Sequence, residues 1–133
     1  MSNGLQAKSK IEKIEVTEQT RGTNRLITFT PDSKITSVNG NVTTSILSAV
    51  NWENIVKNAE AIDLSKIASF QSPTEGRFGD RALYSSILIT KGGKVYESSN
   101  FDAGNPPKEL ENLYNALFSD RKVKQKFPKN NIR

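Results

Sequence analysis

A chain of 133 residues with no histidine and no cysteine excludes disulfides, thiolate nucleophiles, cysteine zinc sites and the imidazole that usually serves as general base or metal ligand. The length fits one domain, a hydrophobic share of 35% implies a modest core, and no apolar run approaches the roughly 20 residues that span a membrane as a helix. The net charge of +5 is local: residues 120–133, DRKVKQKFPKNNIR, hold six basic residues and one acid, leaving thirteen of each sign in residues 1–119, so the body is neutral.

Residues 1–9, MSNGLQAKS, are small, polar and aperiodic, and read as a flexible leader with neither a secretory core nor an amphipathic face. The next segment, KIEKIEVTEQT, alternates with Ile14 and Val16 on one face, the period-2 pattern of a half-buried strand. RLITFT follows, then a PDSK turn with Pro31 at its second position, then ITSV ending at NGN. These predict three antiparallel strands, the last two forming a hairpin.

From Thr44 the period lengthens. Ile46, Leu47, Val50, Ile55, Val56, Ala59 and Ile62 recur at steps of three and four, which predicts an amphipathic helix capped at Thr44 or Ser45, with Trp52 turned inward. DLSKIASFQSPTEGRFGD reads as a long irregular connection. ALYSSILIT and KVYESS then form a hairpin around Gly92-Gly93, with a loop of two or three residues. FDAGNPP leads to a last helix, for which Asn105 is the candidate cap and Pro106 or Pro107 the first turn. Leu110, Leu113, Tyr114 and Leu117 make its apolar stripe. The order βββ-α-ββ-α predicts an α+β domain over residues 10–119: a single antiparallel sheet of about five strands with two helices on one face.

Each cluster of potential chemistry meets a plainer reading. GRFG, residues 76–79, has the outline of a backbone-clamping GxxG loop but precedes a strand instead of joining helices. Arg77, Phe78, Asp80 and Arg81, with Asp102 from the next loop, are the candidate binding patch, an arrangement able to hold a carboxylate or phosphate; the plainer reading is a structured turn in which these charges satisfy one another. NFDAGN followed by Glu111 imitates a calcium loop, but Asn105 stands where its glycine is required and prolines follow, so no metal and no cofactor is expected. Arg121, Lys122, Lys124, Lys126 and Lys129 form a basic tail suited to an anionic polymer. Phe127 is its only aromatic, so stacking on single strands is unsupported and a frayed, solvated tail is expected in place of a nucleic-acid contact. A Ser–His–Asp triad is impossible without histidine, and no carboxylate pair stands out among fourteen acids.

The stretch SPTEGRFGDRALYSSILITKGGKVYESSNFDAGNPPKELENLYNAL resembles a group of small proteins of Bacteroidetes bacteria. The resemblance is carried by Pro73, Arg77, Asp80, Tyr96, Ser98, Phe101, Asp102, Gly104, Pro106 and Pro107, with FDAGNPP its most specific piece. It implies an α+β unit similar to small secreted inhibitor-like domains, and an export or lipoprotein signal that residues 1–9 do not carry. It implies no particular activity. The reading that follows is a non-enzymatic binding or interaction domain of the bacterial cell envelope, with an unidentified protein or envelope component as partner. The alternatives are an anionic-polymer binder acting through the tail and a carboxylate-dependent enzyme, and the alternative location is the cytoplasm.

Overall fold

The computed structural model describes residues 10–20, 22–75 and 83–119. It is an α+β arrangement with seven strands in one antiparallel sheet and two main helices, in the order ββββ-α-βββ-α. The strands are β1 (Ile11–Thr20), β2 (Thr23–Phe29), β3 (Ser33–Val38), β4 (Asn41–Ile46), β5 (Tyr84–Lys91), β6 (Lys94–Glu97) and β7 (Phe101–Asp102). The helices are α1 (Ala49–Glu60) and α2 (Glu111–Leu117). The sheet runs β4-β3-β2-β1-β5-β6, with β7 pairing the start of β5 beside β6.

Alternation along the strands builds one apolar face. Ile14 and Val16 of β1 oppose Phe29 and Ile27 of β2 on one side and Ile89 and Ile87 of β5 on the other, and all six are buried. A bulge at Glu12 restores Ile11 to this face: Ile11 pairs with Lys91 and Lys13 with Thr90, so two residues of β1 advance against one of β5. The Glu12 carboxylate then accepts the Gly93 N–H at 3.1 Å, fastening the β5–β6 turn.

Both helices cover this face. Ile55 and Ala59 of α1 and Leu113, Tyr114 and Leu117 of α2 join the strand residues in a single core. Phe118 meets Phe29 edge-on, with centroids 6.2 Å apart, and Tyr114 meets Phe101 the same way at 6.0 Å, a geometry that aligns ring edges with ring faces. The Tyr114 hydroxyl accepts the Gly104 N–H at 2.9 Å, tying α2 to the turn after β7.

The structure corrects the chain reading at four places. The NGN segment does not end a strand before a helix; Asn39 and Gly40 have φ of 50° and 92°, the two left-handed residues of a type I′ hairpin loop, and turn the chain back into β4. Ile46 is therefore a strand residue, 90% exposed. The helix begins after Ser48, whose Oγ accepts the Asn51 N–H at 3.1 Å. Neither Thr44 nor Ser45 is its cap, because both belong to β4. The long connection contains a 3-10 segment, Leu64–Ser69, capped by Asp63. In FDAGNPP, Phe101–Asp102 is a seventh strand, and a 3-10 turn, Lys108–Leu110, follows Pro107 before α2. Asn105 does not cap a helix; its N–H closes a turn onto the Asp102 carbonyl at 2.8 Å. The β5–β6 loop has two residues, Gly92 and Gly93, at φ of 58° and 81°, and Lys91 opposes Lys94.

Strand β5 lies inside the sheet with polar side chains buried on it. Between β6 and β7 the ladder lacks a regular rung, and Ser98 supplies one. Its N–H donates to the Ile87 carbonyl, and its Oγ accepts the Ile87 N–H at 2.9 Å while donating to the Ser99 carbonyl. Thr90 Oγ1, by contrast, is the one buried side-chain polar atom without a partner among the described residues. Two substitutions should therefore move stability in opposite directions. Ser98→Ala orphans a buried N–H and should cost about 1–3 kcal/mol, whereas Thr90→Val removes an unpaired hydroxyl at nearly constant shape and should add about 1 kcal/mol. Urea denaturation of the two variants reads both.

Candidate functional site

The two ends of the sheet differ in chemistry. At the Gln19 end, Glu18 shares the inward face of Ile14 and Val16 despite its charge. It stands between Arg25 of β2 and Ser85 of β5, is 1% exposed, and accepts from the Arg25 guanidinium. Ser85 Oγ donates to the Thr17 carbonyl at 2.6 Å, and on the opposite face the Thr17 and Ser86 hydroxyls meet at 2.9 Å. Asp102, the described member of the proposed Arg77–Asp80 patch, is buried, and its carboxylate accepts from the Thr74 hydroxyl. Thr74 and Ser72 stand on the chain that runs past β7, where Ser99 Oγ also donates to the Phe70 carbonyl at 2.8 Å. Asp102 thus joins two stretches of chain from inside. Arg77, Phe78, Asp80 and Arg81 lie outside the described residues, as do Arg121, Lys122, Lys124, Lys126 and Lys129.

The Ile11 end carries the feature that linear reading missed. An open groove of about 650 Å³ is bounded by Lys10, Lys91, Gly92, Lys94 and Tyr96 on the sheet side and by Ile62–Ser65 on the other. Three parts of the chain meet here. Pairing of β1 with β5 continues past the bulge through the Gly92 N–H to the Lys10 carbonyl at 3.1 Å. The Lys10 stem passes over Gly92, where a Cβ would lie 3.9 Å from its Cδ. The two-residue turn brings Lys91 and Lys94 directly opposite each other, an arrangement that ordinarily costs stability through like-charge repulsion.

That repulsion is relieved locally. Lys91 reaches Glu60 at the end of α1, Nζ to Oε1 3.2 Å, and Lys94 Nζ sits 5.2 Å from the centroid of the Tyr96 ring. Neither Lys10 nor Lys94 enters a salt bridge among the described residues. The acids of the rim are occupied. Glu12 takes the Gly93 N–H, and Asp63 takes both the hydroxyl and the N–H of Ser65, at 2.6 and 3.1 Å. The Ser65 hydroxyl bond outweighs the opposing effect of burial and, with lesser help from the Ser65 N–H and Lys66, holds the Asp63 carboxyl below its ordinary range. The groove therefore carries three lysines, one of them paired with Glu60, beside one aromatic ring and two aliphatic side chains, Ile62 and Leu64.

A second cleft, lined by Ser69, Phe70, Gln71, Ser72, Glu75, Ser99 and Asn100, contains one carboxylate and no cation. No group of three or more acids suited to a metal ion occurs among the described residues, and no described helix is long and apolar enough to cross a membrane. Comparison with protein-family models, with curated proteins and with solved structures finds no match to this chain.

The Glu18–Arg25 pair is a stability element of the Gln19 end. Arg25→Ala removes a charge-assisted bond to a buried carboxylate and should cost about 2 kcal/mol, with Arg25→Lys recovering part of it. Chemical denaturation of the two variants measures the difference.

Proposed function

We propose that this chain is a non-enzymatic binding domain that receives an anionic ligand with a planar or apolar portion in the Lys10–Lys91–Lys94–Tyr96 groove. The observation that carries the reading is the meeting of three lysines, two of them outside any salt bridge among the described residues, on an open groove with an aromatic wall. Lysine ammoniums attract a carboxylate, sulfate or phosphate as point charges with freely turning donors. Tyr96, Ile62 and Leu64 offer the apolar surface on which the remainder of such a ligand loses contact with water. The rim acids favour binding over catalysis: each already accepts hydrogen bonds or pairs with a lysine, and a carboxyl held below its ordinary range, as Asp63 is, makes a weak proton acceptor at neutral pH. Placement at the bacterial cell envelope belongs to the same proposal and rests on the resemblance carried by FDAGNPP.

The fold supports this division of labour. The bulge at Glu12 and the turn at Gly92-Gly93 hold the lysines on hydrogen-bonded backbone, so the charges are presented without prior ordering of a loop. Asp63 opposes an anion in the groove while supporting the 3-10 segment that forms its far wall. Because its folded-state pKa is lowered, the stabilisation it provides is present at neutral pH and is lost as pH falls through that lowered value.

Titration with naphthalene-2-sulfonate, followed by amide chemical shifts, tests the reading. Saturable shifts are expected across Lys91–Tyr96 and Ile62–Ser65, weakening with added salt, with none from uncharged 2-naphthol. Lys10→Ala with Lys94→Ala should weaken binding about tenfold, and Asp63→Asn, which keeps a capping oxygen but removes a negative charge, should tighten it about twofold. Shifts that are absent, or equal in the double variant and the parent, reject the groove.

A further inference from the structure

The two edges of the sheet are treated in opposite ways. On one side β6 is four residues long, carries Lys94 and Glu97, and is flanked by the 3-10 segment Leu64–Ser69. On the other side β4 reads Asn41-Val42-Thr43-Thr44-Ser45-Ile46, with no charge and no proline, and pairs with β3 residue for residue without a bulge. All six positions are exposed. Short length, charge, proline, bulges and covering segments are the devices that keep an edge strand from pairing with another chain. Beyond its length of six residues, β4 has none of them among the described residues.

The backbone of β4 also has a definite polarity. Its type I′ turn closes on the pair Val38–Asn41, so alternation directs the N–H and C=O groups of Asn41, Thr43 and Ser45 toward β3. Leu47, next in the same series, donates its N–H inward to the Asp32 carbonyl at 3.1 Å. The groups of Val42, Thr44 and Ile46 consequently point away from the sheet. Their side chains lie on the face opposite the helices, Val42 65% and Ile46 90% exposed.

We infer that two copies of this chain join through β4 into one continuous antiparallel sheet, on a two-fold axis passing beside Thr44. A second copy is the fitting occupant because the strand is complementary to itself in that register. Thr44 opposes Thr44 of the partner subunit, and Val42 opposes Ile46 of the partner subunit on both sides of the axis. Every outward backbone donor and acceptor then finds a mate. The two most exposed apolar side chains of the strand cover each other, and the absence of charge leaves no like-charge clash across the axis. The axis stands perpendicular to the sheet, so the helices of both copies remain on the same side. The groove at Lys10 lies at the far edge of each copy and stays open.

Sedimentation equilibrium on the full chain, over a concentration series reaching about 1 mM because small interfaces hold weakly, is expected to show monomer passing to dimer, with amide exchange at Val42, Thr44 and Ile46 slowing as dimer forms. Thr44→Pro removes an outward N–H without touching the β3 ladder and should weaken the dimer at least about tenfold. Should that variant lose its fold, the pair Val42→Lys with Ile46→Lys does the same work, setting lysine against lysine on both sides of the axis. Val42→Lys with Ile46→Glu sets lysine against glutamate instead and should restore association. A chain that stays monomeric throughout, a dimer indifferent to these changes, or failure of the lysine–glutamate pair to associate would overturn the inference.

Discussion

The antiparallel pairing of β1 with β5 is the constraint on which the rest of this molecule depends. The strands lie about as far apart in sequence as Thr17 and Ser86, which are 69 residues apart and bonded through their hydroxyls at 2.9 Å. Their register decides that Ile14, Val16, Ile87 and Ile89 share one face, and a slip of one residue would turn one strand's apolar set to solvent. The same register brings Glu18 against Ser85 at one end and Lys10 against Gly92 at the other. Core and lysine groove are thus two outcomes of a single alignment, pinned by the Glu12 bulge.

Polar groups close this sheet at places where side chains replace backbone. Ser98 supplies the missing rung between β6 and β7, Asp102 draws in Thr74, and Ser99 reaches the Phe70 carbonyl. With a hydrophobic share of 35%, a chain of this size has a limited core, and satisfied hydroxyls let it close strand ends that apolar packing would leave open. The edge at β6 is sealed in this manner, by a strap of chain tied down through serine and threonine.

Much of the architecture was legible from periodicity. Ile14 and Val16, the Gly92-Gly93 turn, and the stripe Leu110, Leu113, Tyr114 and Leu117 all fall where alternation or helical spacing places them. The fourth strand was hidden because β4 is exposed at every position and offers no apolar alternation of the buried kind. Ile46 and Leu47 extend the stripe of α1 backwards, which masks the turn at Asn39-Gly40. Burial of Asp102 was also illegible, since its partner Thr74 lies 28 residues away. The groove was half visible: Lys91 and Lys94 flank a glycine pair, but Lys10 joins them only through the β1–β5 alignment, which no local pattern encodes.

That alignment also orders events in time. Strands β1 to β4 follow one another through short turns, so their pairings involve nearby residues and form readily. Strand β5 arrives only after α1 and the connection beyond it have left the ribosome. A growing chain therefore carries a four-stranded meander whose first strand, with Ile14 and Val16 on it, waits for its second neighbour. For that interval a strand that lies inside the finished sheet is an open edge, and the vulnerable period in its synthesis ends when Tyr84–Lys91 arrives to close it.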